Sequence, residues 1–451
     1  VNKQVRIGNG QGFWGDSIDA PKWLLREGPI DYITLDYLAE VTMSIMQKQK
    51  LKHPHLGYAT DFVALIEELL PELMERGVKV IANAGGVNAK ACQEALIEVA
   101  KKQGCKGLGV AAVTGDDIFA DLPRFKAQGI LLKNMDTGEP LFDRERDILS
   151  ANVYIATRAM TEALATGAQI VVTGRSTDPG LVLAPLVHEF NWSWDDWDRL
   201  AAGTVAGHIL ECGAQCTGGN FTNWQEVPDM VNLGYPIAEV AEDGTFLVTK
   251  HQGTGGQVSV ATVSEQLLYE MGDPRHYITP DCTVDFTSIQ LTQEGPDRVR
   301  VSGITGGPHT PTLKASINYR DGYKAAGQLT VSGPQALAKA EKCAELLWGR
   351  LKRSGVVCEH QSTEFLGSGV CHRGIVFQGD PPEVVVRFAV KDQDYRKIER
   401  FGKEIAPLVT SGPPGVTGFA GGRPKPQEIV AYWPALLDRN LIQTSIDLKE
   451  V

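Results

Sequence analysis

Short β-branched apolar runs alternate with amphipathic stretches through the first third of the chain. Val5 to Gly8 reads as a strand that ends in the run Gly8-Asn9-Gly10-Gln11-Gly12. Ile30 to Asp36 reads as a second strand, followed by helical patterns over 37–49 and 61–76 and by the buried strand Lys79 to Ala84. The clearest period belongs to Cys92, Ala95, Leu96, Val99 and Ala100, which stand at i, i+3, i+4, i+7 and i+8 and so share one helix face. Leu108 to Val113 is a further strand, ending at Gly115-Asp116-Asp117. A helix expected over 152–164 leads into the strand Gln169 to Thr173. Strand, loop and helix in repetition predict an α/β domain with a doubly wound, mostly parallel sheet covered on both faces. In such sheets ligands bind beyond the carboxyl ends of the strands, where the glycine-rich loops should lie.

From Trp192 to Arg320 the pattern is less regular, rich in Gly, Thr and Pro, with strand candidates at Thr245–Thr249 and Arg298–Val301. It reads as an elaboration of the first domain. The last part changes character. Strand-like segments at Leu329–Ser332, Val356–Glu359, Glu383–Val390 and Glu428–Trp433 alternate with helical ones at Pro334–Leu351 and Asp394–Ile405. That βαββαβ order is the split arrangement of ferredoxin-like domains. The expected division is therefore an α/β domain over 1–325 and a smaller C-terminal domain over 326–451.

Length, composition and charge narrow the function. The 451 residues are 43% hydrophobic and 22% charged, enough for two packed cores. A formal net charge of −11 argues against nucleic-acid binding, which needs a surplus of Lys and Arg along the phosphate track. It leaves an anionic small molecule open, because backbone N–H groups in glycine-rich loops bind anions. The start, Val1-Asn2-Lys3-Gln4-Val5-Arg6, shows no signal-peptide pattern, and no apolar run approaches the roughly 20 residues of a membrane span. Eight dispersed cysteines are not a disulfide framework, so a cytoplasmic protein with reduced thiols is expected.

Three strand-end loops carry the candidate chemistry. Gly8, Gly10 and Gly12, with Asp16, would let backbone N–H groups approach a phosphate or carboxylate, although positive-φ turns need the same glycines. Gly10-Gln11-Gly12-Phe13-Trp14-Gly15 formally matches a dinucleotide fingerprint, but bulky Phe13-Trp14 stand where a helix should open, so a nicotinamide or flavin is not expected. Asp116 and Asp117 are adjacent carboxylates suited to binding a divalent metal or to acid–base work, with one of them an ordinary helix cap. Gly174-Arg175-Ser176-Thr177-Asp178-Pro179 is the most informative loop. Arg175 presents a fork for an anionic group and Asp178 a proton carrier, or the two form a salt bridge beside a capping Asp. These three loops are expected to share one cleft.

Other features carry less. His208, Cys212 and Cys216 stand at i, i+4 and i+8, but the break at Gly213 argues against a shared helix face, and no metal is expected. His53 and His55 read as solvent-exposed, and His251 adjoins a further loop containing Gly255 and Gly256, a candidate for ligand contact. Neither a Gly-x-Ser-x-Gly elbow nor a P-loop is present. The glycine- and proline-rich run Ser411 to Pro426 is long enough to be functional or an interface, with Arg423 reaching a neighbouring subunit or the main site.

Several distinctive segments occur in a fixed order. They are Ile7–Asp16 with Asp36–Thr42, Ala151–Tyr154 with Ile170–Pro179 and Ala184–His188, Gly207–Gly213 with Thr217–Gly219, and Gly253–Gly256 with Glu265–Glu270. Together they resemble the acyclic terpene utilization (AtuA) family over nearly the whole chain. The resemblance implies an intracellular catabolic enzyme of branched carboxylates or their CoA esters, adds Glu40 to the candidate catalytic residues, and implies a separate small companion protein. With no redox motif and no covalent nucleophile, a lyase adding or removing water or cleaving a C–C bond leads. A thioester or amide hydrolase, or an accessory subunit presenting a CoA ester to a carboxylase, are the alternatives. A homo-oligomer built through the C-terminal domain is expected. No cofactor is expected beyond a CoA ester as substrate.

Overall fold

The structure, a computed structural model, describes residues 3–143, 145–372, 375, 379–418 and 421–451. Val1 and Asn2, and two positions of the Ser411–Pro426 run, lie outside the described residues. The chain is a mixed α/β protein with a large mixed sheet and, among the described residues, twelve helices. Two compact units form, one of Val1–Asn318 with Tyr432–Val451 and one of Tyr319–Ala431.

The first unit begins with β1 (Gln4–Gln11), β2 (Tyr32–Leu35), β3 (Lys79–Ala82), β4 (Gly109–Thr114), β5 (Ile148–Val153) and β6 (Ile170–Thr173). Five of these pair in parallel in the order β1-β2-β3-β6-β4. β7 (Pro236–Ala241) and β8 (Phe246–Lys250) extend the β1 side antiparallel. Both faces are buried, because successive side chains alternate between them. Ile81, Ala111, Val113 and Val171 join one apolar cluster with helices 158–165, 180–190 and 197–210. Val80, Val110, Ile170 and Val172 join another with helices 20–27, 60–76 and 89–102.

The expected helix over 152–164 is shorter, Arg158–Ala165, and β5 occupies its first residues. Ala151, Val153 and Ile155 are all fully buried at a spacing of two, a strand period, and the helical period starts only after Thr157.

The boundary expected near 325 falls at Asn318/Tyr319, inside the long β14 defined below. The return to the first unit at Ala431/Tyr432 has no counterpart in the hydrophobic pattern. Between β8 and that boundary lie β9 (Tyr277–Ile278), β10 (Thr283–Asp285), β11 (Gln290–Gly295), β12 (Arg298–Ser302) and β13 (Thr305–Gly307). Then come β14 (Thr312–Ser332), β15 (His360–Leu366), β16 (Glu383–Asp392), β17 (Gln427–Asp438) and β18 (Ser445–Glu450). β18 pairs antiparallel with β4 through Ser445↔Thr114 to Glu450↔Gly109 and closes that edge of the large sheet. The last twenty residues therefore belong to the first unit and not, as expected, to the C-terminal domain. Their partner strand lies far back in the sequence, and no local period reports it.

In the second unit the order is strand, helix 336–353, two strands, helix 395–404, a short helix 408–411, strand, and the sheet runs β15-β16-β14-β17. Its core packs Leu347, Leu351, Phe388, Ile398 and Phe401 between helices and sheet.

Candidate active site

The carboxyl ends of the parallel strands converge on one residue, Arg175. β6 ends at Thr173 and the chain turns through Gly174. The backbone N–H of Arg175 then donates to Asp116 Oδ2 at 2.7 Å, and Asn152 Nδ2 donates to the same oxygen at 3.0 Å. A Cβ at position 174 would overlap the Asp116 carboxylate, so this approach requires glycine. Burial pushes the Asp116 carboxyl up to about 7, against those two hydrogen bonds.

The Arg175 side chain is 2% exposed. Its Nη1 donates to the Leu38 carbonyl at 2.6 Å, its Nη2 lies 3.1 Å from Asp178, and its guanidinium stacks 4.1 Å from the Tyr154 ring centre. Burial alone would favour loss of the proton. Asp178, Tyr154, Asp36 and Glu40 outweigh it and hold the cation.

Four acids surround that cation in different states. Asp36 follows β2, accepts from Leu38 N at 3.0 Å and Asn83 Nδ2 at 2.6 Å, and is raised by burial to about 6. Asp178 leaves 33% of its side chain exposed. Burial, reinforced by the charges of Asp36, Glu211 and Glu40, raises it well above the carboxylate range despite Arg175. Glu40 opens the helix Glu40–Lys52 and accepts a hydrogen bond from the Tyr154 hydroxyl at 2.6 Å. Burial would raise it too, but that hydrogen bond and the charges of Arg175 and Lys314 hold it below its ordinary value. The fourth acid, Glu211, lies 3.3 Å from Nδ1 of the buried His208. That pairing keeps the imidazole above its ordinary value although burial opposes it.

Glu40, Tyr154, Arg175, Asp178, Glu211, Glu270 and Lys314 line a cavity of about 410 Å³. Its rim is apolar, with Met135, Ile278 and Leu436 about half exposed. The arrangement sets one carboxyl raised above its ordinary value and one held below it beside Arg175 and Lys314.

The sequence matches the model of the acyclic terpene utilisation family protein AtuA over residues 5–448. The chain belongs to the AtuA family. No curated protein matches it.

Of the residues the sequence singled out in this AtuA-family chain, Glu40, Arg175 and Asp178 line the cavity, while Asp116 and Gly174 stand directly behind Arg175. The others serve elsewhere. Asp117 accepts from Phe119 N at 3.0 Å and caps a short turn. A Cβ at Gly8 would meet Leu24 at 2.6 Å, and one at Gly10 would meet Pro21 at 3.1 Å, so these glycines seat helix 20–27 on the sheet. Gly12 lies against the Cys212 backbone, and Asp16 accepts from Gly12 N at 2.9 Å and from the Tyr235 hydroxyl at 2.6 Å. Gly255 and Gly256 pack against the carbonyls of Asp229 and Thr217. The Gly8–Asp16 loop therefore does not line this cavity, because its backbone is committed to packing. The helix bearing His208 ends at Leu210, short of Cys212 and Cys216. Among the described residues no group of three or more His, Cys, Asp or Glu is disposed to hold a metal ion.

Sequence reasoning missed Asp36, Tyr154 and Glu270, although all three stand in the segments that carry the family resemblance. Tyr277 and Lys314 come from the irregular region and gave no signal. Among the described residues no helix is long and apolar enough to cross a membrane, and all eight cysteines are free thiols.

Proposed function

We propose that this AtuA-family chain is a catabolic enzyme of the lyase type, adding or removing water beside the carbonyl of a branched carboxylate or its CoA ester. The observation that carries this reading is the contrast between two carboxyls in one cavity: the Tyr154 hydroxyl and the charges of Arg175 and Lys314 hold Glu40 below its ordinary value, whereas burial raises Asp178 above its own. Environments that drive two acids apart assign a base and an acid. In the elimination direction Glu40 takes the proton next to the carbonyl, and Asp178 gives its proton to the departing hydroxyl, which leaves as water. Lys314 offers its charge to the carbonyl or carboxylate oxygen where negative charge develops, and Arg175 fixes Asp178 and Tyr154. The apolar rim at Met135, Ile278 and Leu436 suits a hydrocarbon chain.

Helices on both faces of the parallel strands, and the strand order of the second unit, support a doubly wound domain followed by a ferredoxin-like one. We further propose a cytoplasmic homo-oligomer that works with a separate small companion protein. Gain or loss of one water is measured by mass spectrometry on branched unsaturated acids and acyl-CoA esters, with the chain alone and with the companion. Glu40→Gln and Asp178→Asn should each lower kcat by about 10²–10⁴-fold. CoA esters that bind but are not turned over in either setting would instead make the chain an accessory subunit.

A further inference from the structure

The net charge of −11 is unevenly distributed. Residues 319–431 carry 16 Lys and Arg against 12 Asp and Glu, whereas the rest of the chain carries 28 against 43. The second unit is thus cationic within an acidic protein, and part of its surplus lines a groove of about 470 Å³. Among the described residues three cations face this groove: Arg387 from β16, and Arg423 and Lys425 from the loop before β17. Arg387 is already tied to Glu364, its Nε donating at 2.6 Å. Arg423 and Lys425 have no carboxylate within ion-pair distance among the described residues.

The loop that presents them is anchored. Pro424, between the two cations, fills a notch left by two glycines: a Cβ at Gly327 would meet its ring at 2.5 Å, and one at Gly402 would overlap its carbonyl. Just ahead, Gly421 and Gly422 adopt φ of 87° and 73°, and a Cβ at either would meet nothing within 4 Å. Two successive left-handed glycines thus keep the approach to the two cations clear of side chains. Gln328 and Gln427 add neutral polar groups to the lining.

We propose that this groove binds the phosphate or diphosphate group of a small molecule, independently of the acid–base cavity of the first unit. Arginine forks and a lysine point charge match phosphate oxygens, and the volume suits a small ligand. Among the described residues no aromatic side chain lines the groove to offer the stacking platform of a single-stranded nucleic-acid site.

The test is calorimetric titration of the full-length protein with inorganic pyrophosphate, ADP and CoA at low salt. Pyrophosphate should bind, and raising the salt should weaken it, as for any largely electrostatic contact. The double variant Arg423→Ala with Lys425→Ala should weaken it at least about tenfold, the loss of one charge-assisted contact or more. Asp178→Asn should leave it unchanged. Arg423 is exposed and Lys425 faces the groove, so the double variant should fold, and an unchanged circular dichroism melt checks this. ADP or CoA binding more tightly than pyrophosphate would identify a nucleotide-bearing ligand, and equal affinities a phosphate site alone. No binding of any of the three, binding that survives the double variant, or binding lost in Asp178→Asn would overturn the proposal. So would a groove filled by the acidic face of a second copy, seen as a mass that falls on dilution with no heat from pyrophosphate.

Discussion

Tyr154 stands between the two charges that define the cavity: its hydroxyl donates to Glu40 at 2.6 Å while its ring lies 4.1 Å under the Arg175 guanidinium. One side chain thus holds a carboxylate and orients a cation, and the states of both follow from its placement at the end of β5.

Tyr154→Phe keeps the stacked ring and removes the hydrogen bond. A hydrogen bond to a charged group is worth about 1.5–3 kcal/mol, so Glu40 should ionise about one pH unit or more higher. If Glu40 is the base, the acidic limb of the kcat–pH profile moves upward by that amount, while activity at pH 8 is largely kept. An unmoved limb would remove Glu40 from that role.

Arg175→Ala should damage the fold as well as the site. The guanidinium is buried against Asp178, the Leu38 carbonyl and Tyr154, so its loss strands acids in a low-dielectric pocket. Breaking a buried pair from one side costs about 3–5 kcal/mol. Urea denaturation should show a loss of that order, and Arg175→Lys should recover only part of it, because one ammonium cannot replace the fork.

Asp116 should make stability depend on pH in an unusual direction. Its folded-state carboxyl titrates near 7 and its unfolded one near the ordinary 3.8, so between those values the native state holds the extra proton. Its contribution is complete below about 4 and is lost as the pH rises through 7, at about 1.4 kcal/mol for each pH unit crossed. Asp36, raised to about 6, acts with the same sign over a narrower window. Asp116→Asn should flatten this slope in urea midpoints measured from pH 4 to 8. A slope unchanged in the variant would show that Asp116 is already ionised.

Gly174→Ala should displace Asp116, because the new methyl would occupy the carboxylate's position and break its bond to Arg175 N. Overpacking of this kind typically costs about 1–3 kcal/mol. Thermal melts should fall accordingly, whereas Gly272→Ala, where a Cβ meets nothing within 4 Å, should stay near the parent.

Hydrophobic period and glycine-marked strand ends are local properties of a chain, and they were enough to read the strand–helix alternation of the first unit, whereas the strand expected at Val356–Glu359 lies at His360–Leu366. They were also enough to place Arg175 and Asp178 just beyond the end of a buried strand. Long-range folding settled what local pattern cannot encode. It set β18 beside β4, brought Lys314 and Tyr277 to the cavity from an irregular stretch, and turned Gly8, Gly10 and Gly12 into packing notches. It also separated the neighbours Asp116 and Asp117, burying one behind Arg175 and leaving the other to cap a turn. One cause underlies all of these: the charge state and role of a side chain depend on burial and on partners distant in sequence, as Glu40 and Asp178 show when one pocket lowers the first carboxyl and raises the second.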